Sequence, residues 1–362
     1  TIYVASALVA GTSVFSTLFP DVSPKIAMFV FLLIIVAYTF FGGFAAVCWT
    51  DFFQGLLMIA ALVAVPVMLC IKGGLDTSAL DTVYEFYGTT YAFVGNAFKA
   101  DWRDIISGLG WGLGYFGMPH ILVRFMSIEK PSMVKKSSIV AIIWVVISLC
   151  AAIAIAYLGR MVLAPELLPG GMQQMVFITF ARRLFPPFVA GILLAAIIAA
   201  SMSTADSQLL VASSSFTSDI YKPVIKKNAS DNELLWVGRI VVLAVSVVAY
   251  FIASSKGSGA QAIMDMVENA WGLFGSAFGP VVILSLFWKR FTYKGAVAGI
   301  VGGAVTDILW LWKLSASTNV YEIIPGFIAG TLLCVIVTLL DKAPSAKVNA
   351  IFEKATDNSV DD

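Results

Sequence analysis

Ten apolar stretches, each near the roughly 20 residues that a helix needs to cross a bilayer, run through this 362-residue sequence. They lie at about 1–18, 25–45, 51–72, 103–125, 137–162, 186–217, 234–254, 268–289, 293–313 and 321–340. Lipid offers no water to a backbone amide, so the spanning segments must pair their own N–H and C=O groups, and a helix does this within one segment. The composition agrees: 59% of residues are hydrophobic and 12% charged, where a soluble domain carries about 25% charge. The expectation is an all-α, polytopic transmembrane helical bundle, with one membrane domain over 1–341 and a polar, partly disordered tail over 342–362.

A net charge of +1 leaves no electrostatic footprint for nucleic acid. Cys48, Cys70, Cys150 and Cys334 sit singly in apolar runs with no C-x-x-C spacing, and read as small buried hydrophobes. The lone His120 builds no metal cluster. Orientation follows from Lys and Arg, which favour cytoplasmic loops. If the loop after the fourth stretch, with Arg124, Lys130, Lys135 and Lys136, is cytoplasmic, fourteen of the 23 basic residues fall on that side. The C-terminus is then cytoplasmic, and residues 73–102 form an external loop with room for a short helix.

The fourth stretch is broken by its own sequence. Ser107 to Pro119 reads S-G-L-G-W-G-L-G-Y-F-G-M-P. Each glycine weakens a helix by about 1 kcal/mol against alanine, and Pro119 lacks a donor and crowds the preceding turn. Unwinding near the middle is expected. Irregular backbone at membrane depth is tolerated only where it is buried in protein or lines a cavity, and a broken apolar helix points to a transporter's binding site. Trp111 and Tyr115, four residues apart, share a helical face. They would suit a small zwitterion with an apolar ring. The plainer alternative is a glycine-rich helix that lets its neighbours pack closely.

Polar groups cluster in A-A-S-M-S-T-A-D-S-Q, residues 199–208. Ala200, Ser203 and Thr204 are at i, i+3 and i+4 on one face. A backbone carbonyl and two hydroxyls make three oxygens, suited to a hard cation such as Na⁺. Alternatively, the hydroxyls bond back to the preceding turn. Asp206 either borders an ion exit path or faces cytoplasmic water, and the second is the simpler reading. Asp51, in A-V-C-W-T-D-F-F-Q, stands where the third stretch begins. Capping that helix N-terminus is physically sufficient, and a role in ion release is the sharper alternative. Asp307 and Glu268 lie near span centres or ends with no partner evident in the sequence.

Three motifs in order, Y-T-F-F-G-G-F-A-A-V-C-W-T-D-F-F-Q (38–54), G-W-G-L-G-Y-F-G-M-P-H-I (110–121) and A-A-S-M-S-T-A-D-S-Q-L-L-V (199–211), resemble the sodium:solute symporter family. F-G-S-A-F-G-P-V-V (274–282), Y-E-I-I-P-G-F (321–327) and K-A-P-S-A (342–346) are similar to its proline branch. The resemblance implies a LeuT-type inverted-repeat fold and Na⁺-coupled symport of L-proline across a bacterial inner membrane, with no catalytic residues and no obligate protein partner. It also implies thirteen spans, of which the ten here match the fourth to thirteenth, so the first spans are expected to be missing. By resemblance Ala200, Ser203 and Thr204 match Na⁺-coordinating positions. Tyr3, Trp111, Tyr115 and Pro119 match substrate-binding positions, and Asp51 matches an acidic residue linked to Na⁺ release. Met118 departs from the glutamine common before that proline, which bears on substrate detail or local water. The rivals are symport of another small solute, a membrane sensor that binds proline without moving it, and an intramembrane hydrolase using Ser203 and His120. For the last, no G-x-S-x-G or H-E-x-x-H motif is present.

Overall fold

A computed structural model describes residues 1–73, 75–86, 89–92, 100–255 and 260–356. Among them, seven helices are long and apolar enough to cross a membrane. All ten expected stretches are helical. The difference in number arises because α1 (Ile2–Leu18) is short, the fourth stretch is divided into two short helices, and one long helix, α2 (Pro24–Lys72), takes up two stretches. Ser23 accepts from the Ile26 amide and Pro24 supplies a preset φ, so α2 begins where capping chemistry allows. Gly43, at φ 61° and ψ −159°, kinks it.

The segment after α2 forms a 3₁₀ turn (Thr77–Leu80) and a small antiparallel hairpin, β1 (Tyr84–Phe86) with β2 (Thr89–Tyr91). It is the one departure from an all-helical chain among the described residues, and Lys99 lies outside them. Then follow α3 (Trp102–Gly114), α4 (Pro119–Met126), α5 (Met133–Leu167), α6 (Val176–Leu184), α7 (Pro187–Ser215) with a π-helical continuation to Ile225, α8 (Asp231–Ser255), α9 (Ala260–Phe287), α10 (Tyr293–Lys313), the single turn α11 (Ser315–Thr318), α12 (Ile323–Leu340) and α13 (Ala346–Thr356). The tail therefore departs from the expected disorder as far as Thr356, while residues 357–362 lie outside the described part.

The helices fall into two compact units. The first holds α1, α2 and α5–α8. Val4 and Leu8 of α1, Phe31 and Ile35 of α2, Ala205 and Leu209 of α7 and Ala249 and Ala253 of α8 are buried together in its core. Lipid tails are as apolar as leucine, so close packing rather than water exclusion holds such helices together. Gly11 shows how close: a Cβ there would overlap the Phe31 ring.

The second unit holds α3, α4, most of α9, and α10–α13. Gly295, Gly299 and Gly303 repeat every fourth residue on α10, and methyl groups at these positions would strike Thr338 and Cys334 of α12 and the Ser276 carbonyl of α9. This small-residue stripe is the geometry that lets membrane helices meet backbone to backbone. Large side chains such as Phe188, Val140 and Ile153 point outward and are exposed on the isolated chain, as a lipid-facing surface requires. Cys70 and Cys150 are exposed too, contrary to the expected burial, while Cys334 is buried as expected and Cys48 is half-buried.

Candidate functional site

In the second unit the broken segment unwinds as expected. Asp101 caps α3 by accepting from the Arg103 amide at 2.9 Å. The helix ends at Gly114, residues 115–118 are irregular, and Pro119 opens α4. A helix C-terminus leaves four carbonyls without intrahelical partners. Trp271 of α9 supplies one donor: its indole N–H donates to the Trp111 carbonyl at 2.8 Å. The same ring gathers the two aromatics singled out from the sequence. Its centroid is 6.1 Å from that of Trp111 and 4.8 Å, edge-on, from that of Tyr115. Tyr321, just before α12, stands 5.4 Å from Trp111, and its backbone N–H donates to the Ser107 hydroxyl oxygen at 3.1 Å.

Three of the segment's five glycines answer to packing. A Cβ at Gly114 would overlap the Trp271 indole, one at Gly117 the Phe274 carbonyl, and one at Gly110 would press on Ile324 at 3.0 Å. Gly108 and Gly112 face open space. The segment thus breaks, and three of its glycines admit close neighbours. Met118, which departs from the polar family pattern, is 1% exposed, and a thioether suits such a dry position. Tyr115 remains half exposed beside the irregular backbone.

In the first unit, α7 carries Ala200, Ser203 and Thr204 on one half-buried face. Ser203 Oγ donates to the Ala200 carbonyl at 3.1 Å, and Thr204 Oγ1 donates to the same oxygen at 3.0 Å. The back-bonding alternative is thus the arrangement observed. Ser201 points elsewhere, donating to the Ile197 carbonyl at 3.1 Å.

Two acidic residues need correction. Asp51 is no helix cap, because the helix resumes after Gly43 and Asp51 lies well inside it. Thr50 already bonds back to Ala46, a full turn earlier. Asp51 Oδ2 instead accepts from Ser207 Oγ of α7 at 3.3 Å. Asp206 does not face water. It is 0% exposed, and Tyr38 of α2 donates its phenolic proton to Oδ2 at 2.5 Å. These two bonds tie α2 to α7 one turn past Ser203 and Thr204.

Tyr3 lies in the first turn of α1, in the first unit, with its carbonyl accepting from Ser6 Oγ at 2.8 Å. Trp111, Tyr115 and Pro119 belong to the second unit. Sequence reasoning overlooked Trp271, Tyr321, Tyr38 and Ser207. The available signal was the one used for the rest: a polar handle inside an apolar span needs a partner.

Comparison with known proteins fits this arrangement. The sequence profile of the "Sodium:solute symporter family" matches residues 1–303. The "Sodium/proline symporter" of Salmonella typhimurium is 42% identical over 359 residues, 98% of this chain and 70% of the relative. The "High-affinity proline transporter PutP" of Bacillus subtilis is 41% identical over 99% of this chain and 74% of its own length. A solved structure described as the substrate-bound outward-open state of a Na⁺-coupled sialic acid symporter superposes with a TM-score of 0.69 at 23% identity, covering 95% of this chain and 73% of that one. That likeness bears on the fold alone, which is of the LeuT type. With the profile covering most of its length, this multi-pass membrane chain belongs to the sodium:solute symporter family.

Proposed function

We propose that this protein carries out Na⁺-coupled symport of L-proline by alternating access across a bacterial cytoplasmic membrane, with its C-terminus cytoplasmic. It is not an enzyme on this reading, its surroundings are membrane lipid, and it needs neither nucleic acid nor an obligate protein partner. The observation that carries the substrate is the 42% identity, over 98% of the chain, to a protein named for sodium and proline. The geometry is compatible. An aromatic wall of Trp111, Tyr115 and Trp271 borders unwound backbone, which suits an apolar ring joined to a zwitterion. Pro119 is assigned to that substrate site, and Tyr3, in the first unit, is assigned to substrate binding on the resemblance alone. The Ala200 carbonyl with the Ser203 and Thr204 hydroxyls is assigned to Na⁺, and Asp51, bonded to Ser207, to its release. Because each ligand favours the same state, each raises the other's affinity by one shared factor.

The test is labelled-proline uptake and binding against Na⁺ concentration. Losing a hydroxyl that contacts a charged ligand costs roughly 1.5–3 kcal/mol, which is about 10- to 150-fold in affinity. Thr204→Ala should shift the Na⁺ requirement upward by that range, weaken proline binding at low Na⁺ and recover at high Na⁺. Ser201→Ala should leave the Na⁺ requirement unchanged. Tyr115→Ala should raise the proline KM well beyond any fall in membrane protein level. Asp51→Asn should slow turnover several-fold with equilibrium binding nearly intact. A Thr204→Ala protein with the parental Na⁺ dependence would end the ion-site assignment.

A further inference from the structure

The second unit buries two carboxyl groups that neither the aromatic wall nor the ion cluster uses. Asp307, in the last third of α10, is 1% exposed, and Glu322, at the head of α12, is 2% exposed. They converge on one spot of α9, where Gly272 leaves room. A Cβ there would stand 3.2 Å from Asp307 Oδ2 and 3.4 Å from Glu322 Cγ. Ser276, one turn on and 0% exposed, donates its hydroxyl to Asp307 Oδ2 at 2.8 Å. Glu322 Oε1 is buried without a hydrogen-bond partner among the described residues. The charges that reach Glu322 are Asp307 on α10 and Glu268 on α9, both acidic.

Two ionised carboxylates cannot share an apolar pocket, and one of them takes up a proton instead. Ionisable side chains within spans are retained for function by default. The hydrogen bonds divide the roles. Asp307 already accepts from Ser276, as a carboxylate does, and Glu322 has an oxygen to spare. We propose that Asp307 and Glu322 form a proton-binding site, a carboxyl pair that holds one proton between α10 and α12 behind the aromatic wall.

The proton's position gives it leverage on the wall. Glu322 follows Tyr321, whose ring lies against Trp111 and whose hydroxyl donates to the Glu268 carbonyl at 2.8 Å. With the proton in place the head of α12 stays seated against α9. Without it two like charges face each other across Gly272 and push that turn outward. Proton occupancy thereby sets how firmly Trp111 is held.

Infrared spectroscopy of the intact protein in lipid nanodiscs tests this directly. At neutral pH the parent should show a protonated-carboxyl C=O stretching band that is missing from Glu322→Gln, and in Asp307→Asn, where the neighbouring like charge is gone, the band should vanish at a lower pH than in the parent. The band should vanish as the pH is raised, and thermal stability should fall over the same interval. Glu322→Gln imitates the protonated acid in shape, so its stability should stay flat there. Adding Na⁺ at fixed pH should leave the band in place. A parent spectrum identical to that of Glu322→Gln would overturn the proposal. So would loss of the band on adding Na⁺, since a metal ion and not a proton would then occupy the pair. If one variant fails to fold, the other and the parent's pH titration still decide the matter.

Discussion

At Gly43 a single residue turns α2 in the first unit, whereas in the second unit four residues, 115–118, separate α3 from α4. Both breaks free carbonyls, and in both a side chain from another span donates to one. Arg239 Nε of α8 reaches the Phe40 carbonyl at 3.1 Å, with its guanidinium over the rings of Phe40 and Trp236 at 5.0 and 4.9 Å. Trp271 does the same for Trp111. The breaks differ in what makes glycine necessary. A Cβ on Gly43 would meet nothing within 4 Å, but its φ and ψ lie in a region that is essentially glycine's alone. Gly117 has an ordinary φ, but a Cβ there would overlap the Phe274 carbonyl, a backbone atom that cannot swing aside. One break is held by torsion and the other by contact.

Measurements of unfolding free energy in detergent would sharpen or break this contrast. Gly117→Ala should cost most, about 3 kcal/mol, because overpacking against backbone has no cheap relief. Gly43→Ala should cost about 2 kcal/mol from torsion alone. Asparagine at Gly43 should cost about as much as alanine, because that region excludes any Cβ, while asparagine at Gly117 should be worse than alanine. A strong dependence on side-chain size at Gly43, or none at Gly117, would exchange the two explanations. Trp271→Phe keeps the ring but removes the donor to Trp111, and should cost about 1 kcal/mol. Gly112→Ala, in open space on the same helix as Gly114, should gain up to about 1 kcal/mol. A loss there would show that the whole glycine run, and not three of its members, is tightly packed.

The sequence alone determined that the chain spans a membrane many times, because lipid leaves a twenty-residue apolar run no other stable form. It also placed a break within 107–119, since glycines and Pro119 act locally, and it placed Ala200, Ser203 and Thr204 on one face, since helical periodicity is local too. Tertiary structure decided what periodicity cannot reach. Asp51 read as a cap because Gly42-Gly43 looked like the end of a span, yet α2 continues through the kink and turns Asp51 toward Ser207 of α7. Asp206 read as water-facing, yet the Tyr38 hydroxyl, 168 residues away in sequence, meets it in the core. Asp307 showed no partner along the chain because Ser276 and Glu322 approach it from two other helices, past Gly272 and Gly326. A buried polar group draws its meaning from whatever crosses its helix, and spacing along one helix holds no record of the crossing.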